Sequence, residues 1–320
     1  MTTIVGEGVM AVENNQITNS EWRVMSVLWE ESPLSSREII QRLNIDKAWS
    51  DNTVKTFISR LEKKGLIGFK TQGRKHLFYP LLGEKKCVEN EMFMIVRRIY
   101  GDQLRYSTNH FEFYGDNKID FINKIALYLE NNHGKILHEL NSSLDTKQSV
   151  YIYKNQLRLH SALGVENAPL WIRAGGSWGI IHLAPESSFI DKSPEKIALH
   201  VFTEIILYRI DSNIPSWISK GVSAYYGDWL SKERIINVLQ TNIDNINLKS
   251  LLSINEDFIK FAKLYGFEIS YTIVKYICEK YGTDTLSNFI RNYDQYSEVF
   301  GVSKEQFFEG WMHFIKNVYF

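Results

Sequence analysis

Cysteine is nearly absent from this chain of 320 residues, and its two members, Cys87 and Cys278, lie far apart. That argues against both a disulfide framework and a thiolate zinc site. Six prolines leave little material for a proline-rich linker. No stretch approaches the roughly 20 apolar residues needed to span a bilayer. The opening MTTIVGEGVMAVENNQ has neither Lys nor Arg and no sustained apolar core, so it lacks the layout of a signal peptide. An excess of either charge is missing too, with 37 basic and 37 acidic side chains. These absences predict a soluble, cytoplasmic chain. What is present suits folding: 44% hydrophobic and 13% aromatic residues are ample for real cores, and the length predicts about two domains.

Charge is unevenly spread, however. Residues 47–75 hold Lys47, Lys55, Arg60, Lys63, Lys64, Lys70, Arg74 and Lys75 against only Asp51 and Glu62. Through residue 106 there are 16 basic and 13 acidic side chains, and from 107 onward 21 and 24. A basic patch joined to a mildly acidic larger body fits a DNA reader with an appended module. A merely solvated helix face is the plainer alternative.

Three short helices are predicted in the first hundred residues. Thr18-x-x-Glu21 and Ser35-x-x-Glu38 match the capping box, whose side chains satisfy free backbone donors reciprocally. The first helix then presents Trp22, Met25, Leu28 and Trp29 at helical spacing, and the second Ile39, Ile40 and Leu43. The third starts at Ser50 and Asp51, buries Val54, Phe57, Ile58 and Leu61, and stops at Gly65. Apolar runs over 66–70 and 76–79, joined through Gly73, predict a hairpin.

Three helices and a basic-tipped hairpin are the order of a winged helix-turn-helix, whose recognition helix meets base edges near its N-terminus. Here that helix offers Ser50, Asn52, Thr53, Lys55, Thr56 and Ser59. Arg60, Lys63 and Lys64 suit phosphate contact, Arg74 and Lys75 sit at the wing tip, and Lys47 extends the same DNA-binding patch. Phosphate contacts set register and affinity, while the polar face discriminates sequence. A three-helix domain that binds protein is the competing reading.

The blocks E-W-x-V-M-x-V-L-W, S-x-x-E-I and W-S-x-x-T-V-K-T-x-x-x-R-L-x-K-K-G-L, spread over residues 16–82, resemble the BlaI/MecI/CopY repressors. The resemblance implies a homodimeric repressor on a palindromic double-stranded DNA operator, with a helical dimerisation or connector segment over 83–106. There Val88, Met92, Ile95, Val96 and Ile99 share an apolar helix face. That face either joins two copies or packs on the chain's own second domain. Penicillinase-branch members are released by cleavage at an Asn-Phe bond in this region. Glu89-Asn90-Glu91-Met92-Phe93 holds no such bond, which puts that release mechanism in doubt.

From residue 107 the texture becomes aromatic and mixed α/β. Strands are predicted over 110–114, 150–153, 170–172 and 179–183, a long helix over 119–140, and mainly helices after Pro194. The frame around His200, Val201 and Glu204, followed by Pro215-x-Trp217-Ile218-x-Lys220-Gly221-Val222, resembles the gluzincin metallopeptidases. In that family H-E-x-x-H precedes P-x-W-[LI]-x-E-G-[LV]-A-x-Y, so Ser223 here replaces the alanine. The fold class implied is multidomain: an α-rich winged helix-turn-helix, then an α+β gluzincin-like domain over 107–320.

Such catalysis needs two imidazoles at i and i+4 for zinc, a carboxylate at i+1 as base, and a later Glu as third ligand. The resemblance places His200, Val201, Glu204 and Lys220 at those positions. Valine accepts no proton, and an ammonium repels the cation. The expectation is therefore no metal, no cofactor and no catalytic residue, with Glu204 and Lys220 pairing where zinc stood. The leading reading is a DNA-binding repressor whose peptidase-like cleft senses a peptide or other small ligand. A regulatory protease with an unorthodox site and a purely oligomerising scaffold are the alternatives.

Overall fold

The computed structural model describes residues 17–43, 49–73, 75–100, 104–115, 117–165, 168–242, 248–254 and 257–320. The chain forms two compact units that part between Ile99 and Tyr100. Among the described residues no helix is long and apolar enough to cross a membrane.

The first unit begins with α1 (Asn19–Glu30), whose N-terminus is closed by the Thr18/Glu21 capping box. Strand β1 (Leu34–Ser35) leads into α2 (Ser36–Leu43), where Ser35 and Glu38 exchange the same reciprocal bonds. Helix α3 (Asp51–Lys63) is capped by Ser50, which accepts from the Thr53 N–H. It ends in a Schellman turn: the Gly65 N–H reaches Glu62 and the Leu66 N–H reaches Leu61, with Gly65 at φ +68°. A left-handed residue is needed there, and glycine takes it without a Cβ clash.

Strands β2 (Ile67–Gln72) and β3 (Lys75–Pro80) form the antiparallel wing, and β1 pairs with the other edge of β3. One face of each helix meets in the core. Val24, Met25 and Leu28 come from α1, Ile39 and Leu43 from α2, and Val54, Ile58 and Leu61 from α3. Each such burial stabilises by roughly 1.5–3 kcal/mol, so a charge at Val54 or Leu61 would unfold the unit. Helix α4 (Glu84–Tyr100) follows. Its Cys87 belongs to this core, and Glu91 accepts from the Ile17 N–H. On the face expected to join two copies, Val88 is half-buried and Ile95 exposed; the side chains of Met92, Val96 and Ile99 lie outside the described residues.

The larger unit is α+β. Strand β4 (Leu104–Ser107) pairs antiparallel with β5 (Phe111–Tyr114), after which comes the long helix α5 (Ile119–Glu139). Strand β6 (Gln148–Ile152) and helix α6 (Gln156–Ala162) precede a hairpin of β7 (Ala174–Ser177) and β8 (Ile180–Leu183). The sheet order is β4-β5-β6-β8-β7. Its centre is parallel and both edges are antiparallel. Helices follow: α7 (Pro194–Ile210), α8 (Ser216–Gly227), α9 (Lys232–Asn242), α10 (Leu248–Leu252) and α11 (Phe258–Lys263). Then come α12 (Gly266–Tyr281), α13 (Thr283–Arg291), α14 (Tyr296–Phe300) and α15 (Lys304–Tyr319).

Helix α7 is buried almost all round, as a helix sandwiched between a sheet and other helices must be. Helix α8 crosses it closely, because a Cβ on Gly227 would stand 2.8 Å from the His200 Cβ. Behind α8 pack α12 and an aromatic cluster of Tyr276, Phe289, Phe300 and Phe307.

Two expectations need correction. Residues 170–172 are not a strand: the Ile172 N–H closes a turn on the Pro169 carbonyl, leaving Leu170 and Trp171 exposed. The strand lies two residues later, at Ala174–Ser177. Residues 104–106, expected in the helical connector, instead belong to a sheet-edge strand over Leu104–Ser107.

Candidate nucleic-acid interface and peptidase-like cleft

On α3 the apolar positions point inward, which leaves Asn52, Lys55, Thr56, Ser59, Arg60 and Lys63 exposed together, with Ser50 at the cap. Thr53 is half-buried, and its hydroxyl lies 2.8 Å from that of Ser50. The Thr56 hydroxyl donates to the Asn52 carbonyl, which leaves its lone pairs as acceptors toward a base edge. Lys75 is exposed on the wing; Lys47 and Arg74 lie outside the described residues.

Lys64 differs from the other predicted phosphate contacts. Its ammonium sits 2.6 Å from the Glu21 carboxylate, which is 1% exposed. Burial raises the Glu21 pKa, but hydrogen bonds from Lys64 and Thr18 outweigh it and hold the carboxyl below its ordinary value. Lys64 thus ties the end of α3 to the start of α1. Three further features escaped the sequence: Arg23 over the Trp49 ring at 4.6 Å, the stacked Phe69 and His76 on the wing, and Lys70 over Tyr79. Only spatial neighbours define them, so no motif announced them.

In the larger unit α7 carries His200, Val201 and Glu204, and α8 carries Lys220. The structure brings all four together along one cavity of about 810 Å³. Lys220 Nζ donates to Glu204 Oε1, and Glu204 is only 8% exposed. His200 Nε2 lies 3.9 Å from Glu204 Oε2, while its Nδ1 accepts from the Trp229 indole N–H at 3.2 Å. Burial, reinforced by the Lys220 charge and only partly opposed by Glu204, pulls His200 down to about 4. Burial alone would raise Glu204, yet Lys220 and His200 bring its pKa below the ordinary carboxylate value.

These residues do not fit a zinc ion. A ligating imidazole donates its second N–H to an acceptor, fixing the tautomer that frees the other nitrogen for metal. Here Nδ1 faces the Trp229 indole N–H, which only donates, while the Ser223 carbonyl also accepts from the ring. Lys220 places a cation on the carboxylate that would ligate, and Val201 supplies no base. Among the described residues no group of three or more His, Cys, Asp or Glu could hold a metal.

Sequence reasoning missed the rest of the cavity wall: Arg173, Asp191, Lys192, Trp229, Arg234 and Glu268 among others. They come from five separate segments, so no local spacing links them.

A winged helix with an exposed polar and cationic third helix, joined to a peptidase-like α+β unit, defines a DNA-binding transcriptional regulator carrying a second module. Comparison with known proteins agrees. A family described as "Penicillinase repressor" matches residues 17–122, and the "Peptidase MA superfamily" matches 130–316. The chain is 32% identical to the penicillinase repressor of Bacillus licheniformis, over 28% of this chain and 70% of that protein. It is 31% identical to the methicillin resistance regulatory protein MecI of Staphylococcus aureus (strain N315), over 27% and 69%. A 16.5 kDa protein of Latilactobacillus sakei, encoded 3' of ptsI, is 35% identical over 29% of this chain, which spans 63% of its length. A solved structure of the DNA-binding domain of the repressor BlaI shares 34% identity over 22% of this chain and 85% of that one, with a TM-score of 0.21. The chain therefore belongs to the penicillinase repressor family through its first unit and to the peptidase MA superfamily through its second.

Proposed function

We propose that this chain represses transcription in the cytoplasm, binding a palindromic operator as a homodimer through residues 16–82, with 83–106 as dimerisation or connector segment. Residues 107–320 then serve as a peptidase-like sensor that performs no hydrolysis and holds no metal. The observation that carries the DNA reading is the exposed face of α3, where small polar groups sit among Lys55, Arg60 and Lys63. This suits base-edge readout flanked by phosphate contacts. Lack of hydrolysis is supported by Lys220 on Glu204 and by Val201 where a base would stand. A cavity of about 810 Å³ without a catalytic base is suited to binding alone.

Selection from a random duplex library tests the first part. A recovered palindrome with two similar half-sites about one helical turn apart supports it, and recovery of no consensus overturns it. Metal analysis and a peptide-cleavage assay test the second. Stoichiometric zinc together with chelator-sensitive cleavage would overturn it.

A further inference from the structure

The cavity wall bears five cations, Arg173, Lys192, Lys220, Arg234 and Lys263, against three carboxylates, Asp191, Glu204 and Glu268. Each carboxylate is engaged. Asp191 pairs with Arg173 at 2.6 Å, Glu268 with Arg234, and Glu204 with Lys220. Among the described residues Lys192 and Lys263 have no carboxylate partner. Lys263 is exposed at the rim. Lys192 is half-buried, with Nζ 5.4 Å from the centre of the Trp229 ring. Burial, followed by repulsion from Arg234, outweighs the attraction of Asp191 and Glu268 and holds its pKa below that of a free lysine. Both carboxylates near this partly dehydrated cation are already paired to arginines, so a bound anion would stabilise it.

Apart from His200, the rest of the wall is apolar. Trp171 and Phe258 stack at 5.4 Å, and Phe267 stands against Trp229 at 5.6 Å. Trp171 is nonetheless 47% exposed, so its ring offers a face to an occupant. A volume of about 810 Å³ matches a molecule of drug-like size.

We infer that this cavity binds a small organic anion with an aromatic or branched apolar body, its charged group at Lys192 near Arg173 and Arg234 and its body against Trp171 and Phe258. The inference rests on reading the larger unit as a ligand sensor and names the class of ligand.

The test is calorimetric titration of the full chain with phenylbutyrate, phenylbutanol and phenylbutylamine, which share one body and differ in charge. Phenylbutyrate should bind saturably, the alcohol at least about tenfold more weakly, and the amine more weakly still. Lys192→Met should cost phenylbutyrate about tenfold or more and leave phenylbutanol unchanged, while Lys192→Arg retains the anion. Trp171→Ala should weaken acid and alcohol alike. Equal affinity for the three compounds, no binding of any, or indifference of phenylbutyrate to Lys192→Met would overturn the inference. Operator affinity measured with and without saturating phenylbutyrate separates this from the sensor reading. Lys192-dependent binding that leaves operator affinity unchanged upholds the anion site and overturns the sensing role.

Discussion

Replacing Lys220 by Met probes the ion pair between α7 and α8. Both side chains are largely buried, at 15% and 11% exposure, so solvent screens the pair weakly. The substitution keeps the aliphatic stem and strands the Glu204 carboxylate. Breaking a buried pair from one side costs roughly 3–5 kcal/mol. In a unit of this size each kcal/mol lowers the midpoint by about 2–4 °C, so the larger unit should melt roughly 6–20 °C earlier by differential scanning calorimetry. The deficit depends on pH. With Lys220 gone, burial dominates at Glu204 and raises its pKa, and His200 loses the repulsion that helps depress its own. Either group then takes up a proton more readily, so the loss should shrink as pH falls below neutral. Glu204→Gln combined with Lys220→Met should recover part of it, leaving a coupling well above the additive limit of about 0.5 kcal/mol. Additive single-substitution effects, or a deficit independent of pH, would refute the reasoning.

Further outcomes are expected. Lys55→Ala or Lys63→Ala should weaken binding to all duplexes and lower the salt slope by about 0.9 per lost phosphate contact, whereas Asn52→Ala should change discrimination between operator variants. Lys64→Met should destabilise the first unit instead. The low Glu21 pKa contributes stability above the ordinary carboxylate range that is lost as pH falls through the folded value; acid melting curves of wild type and variant should therefore converge. His182 is fully buried between Tyr153 and Ser177 and is pulled down to about 4 by burial. Its contribution is complete above the unfolded value of 6.5 and falls away toward pH 4, and His182→Gln should flatten that part of the stability profile. Gly227→Val should separate α7 from α8, visible as lost stability of the larger unit, because its side chain would collide with the His200 Cβ and the Lys196 carbonyl.

Much of the first unit was legible because its signals are local. Two capping boxes, a Ser N-cap and a Gly stop bracket the helices, and the apolar spacing of α1, α2 and α3 gives the core directly. In the larger unit local signals failed at the sheet edges. β7 is Ala-Gly-Gly-Ser, without a β-branched or aromatic residue, whereas the apolar 170–172 run beside it is a turn fixed by Pro169. The pairing of Glu204 with Lys220 was legible from the damaged metallopeptidase frame. The donor behind His200, the engagement of Lys64 with Glu21 and the cationic cavity were not, since each depends on residues that only folding brings together.

If the exposed α3 face reads a specific DNA sequence with no metal chemistry in the larger unit, preference for the operator must persist when metal is chelated. Fluorescence anisotropy of the full chain, on the selected palindrome and on a scrambled duplex of equal composition at moderate salt with chelator present, tests it most directly. Binding to the palindrome is expected to be about a thousandfold or more tighter than to the scrambled duplex, unchanged by the chelator. Equal affinity for the two duplexes, or binding abolished by the chelator, would contradict it.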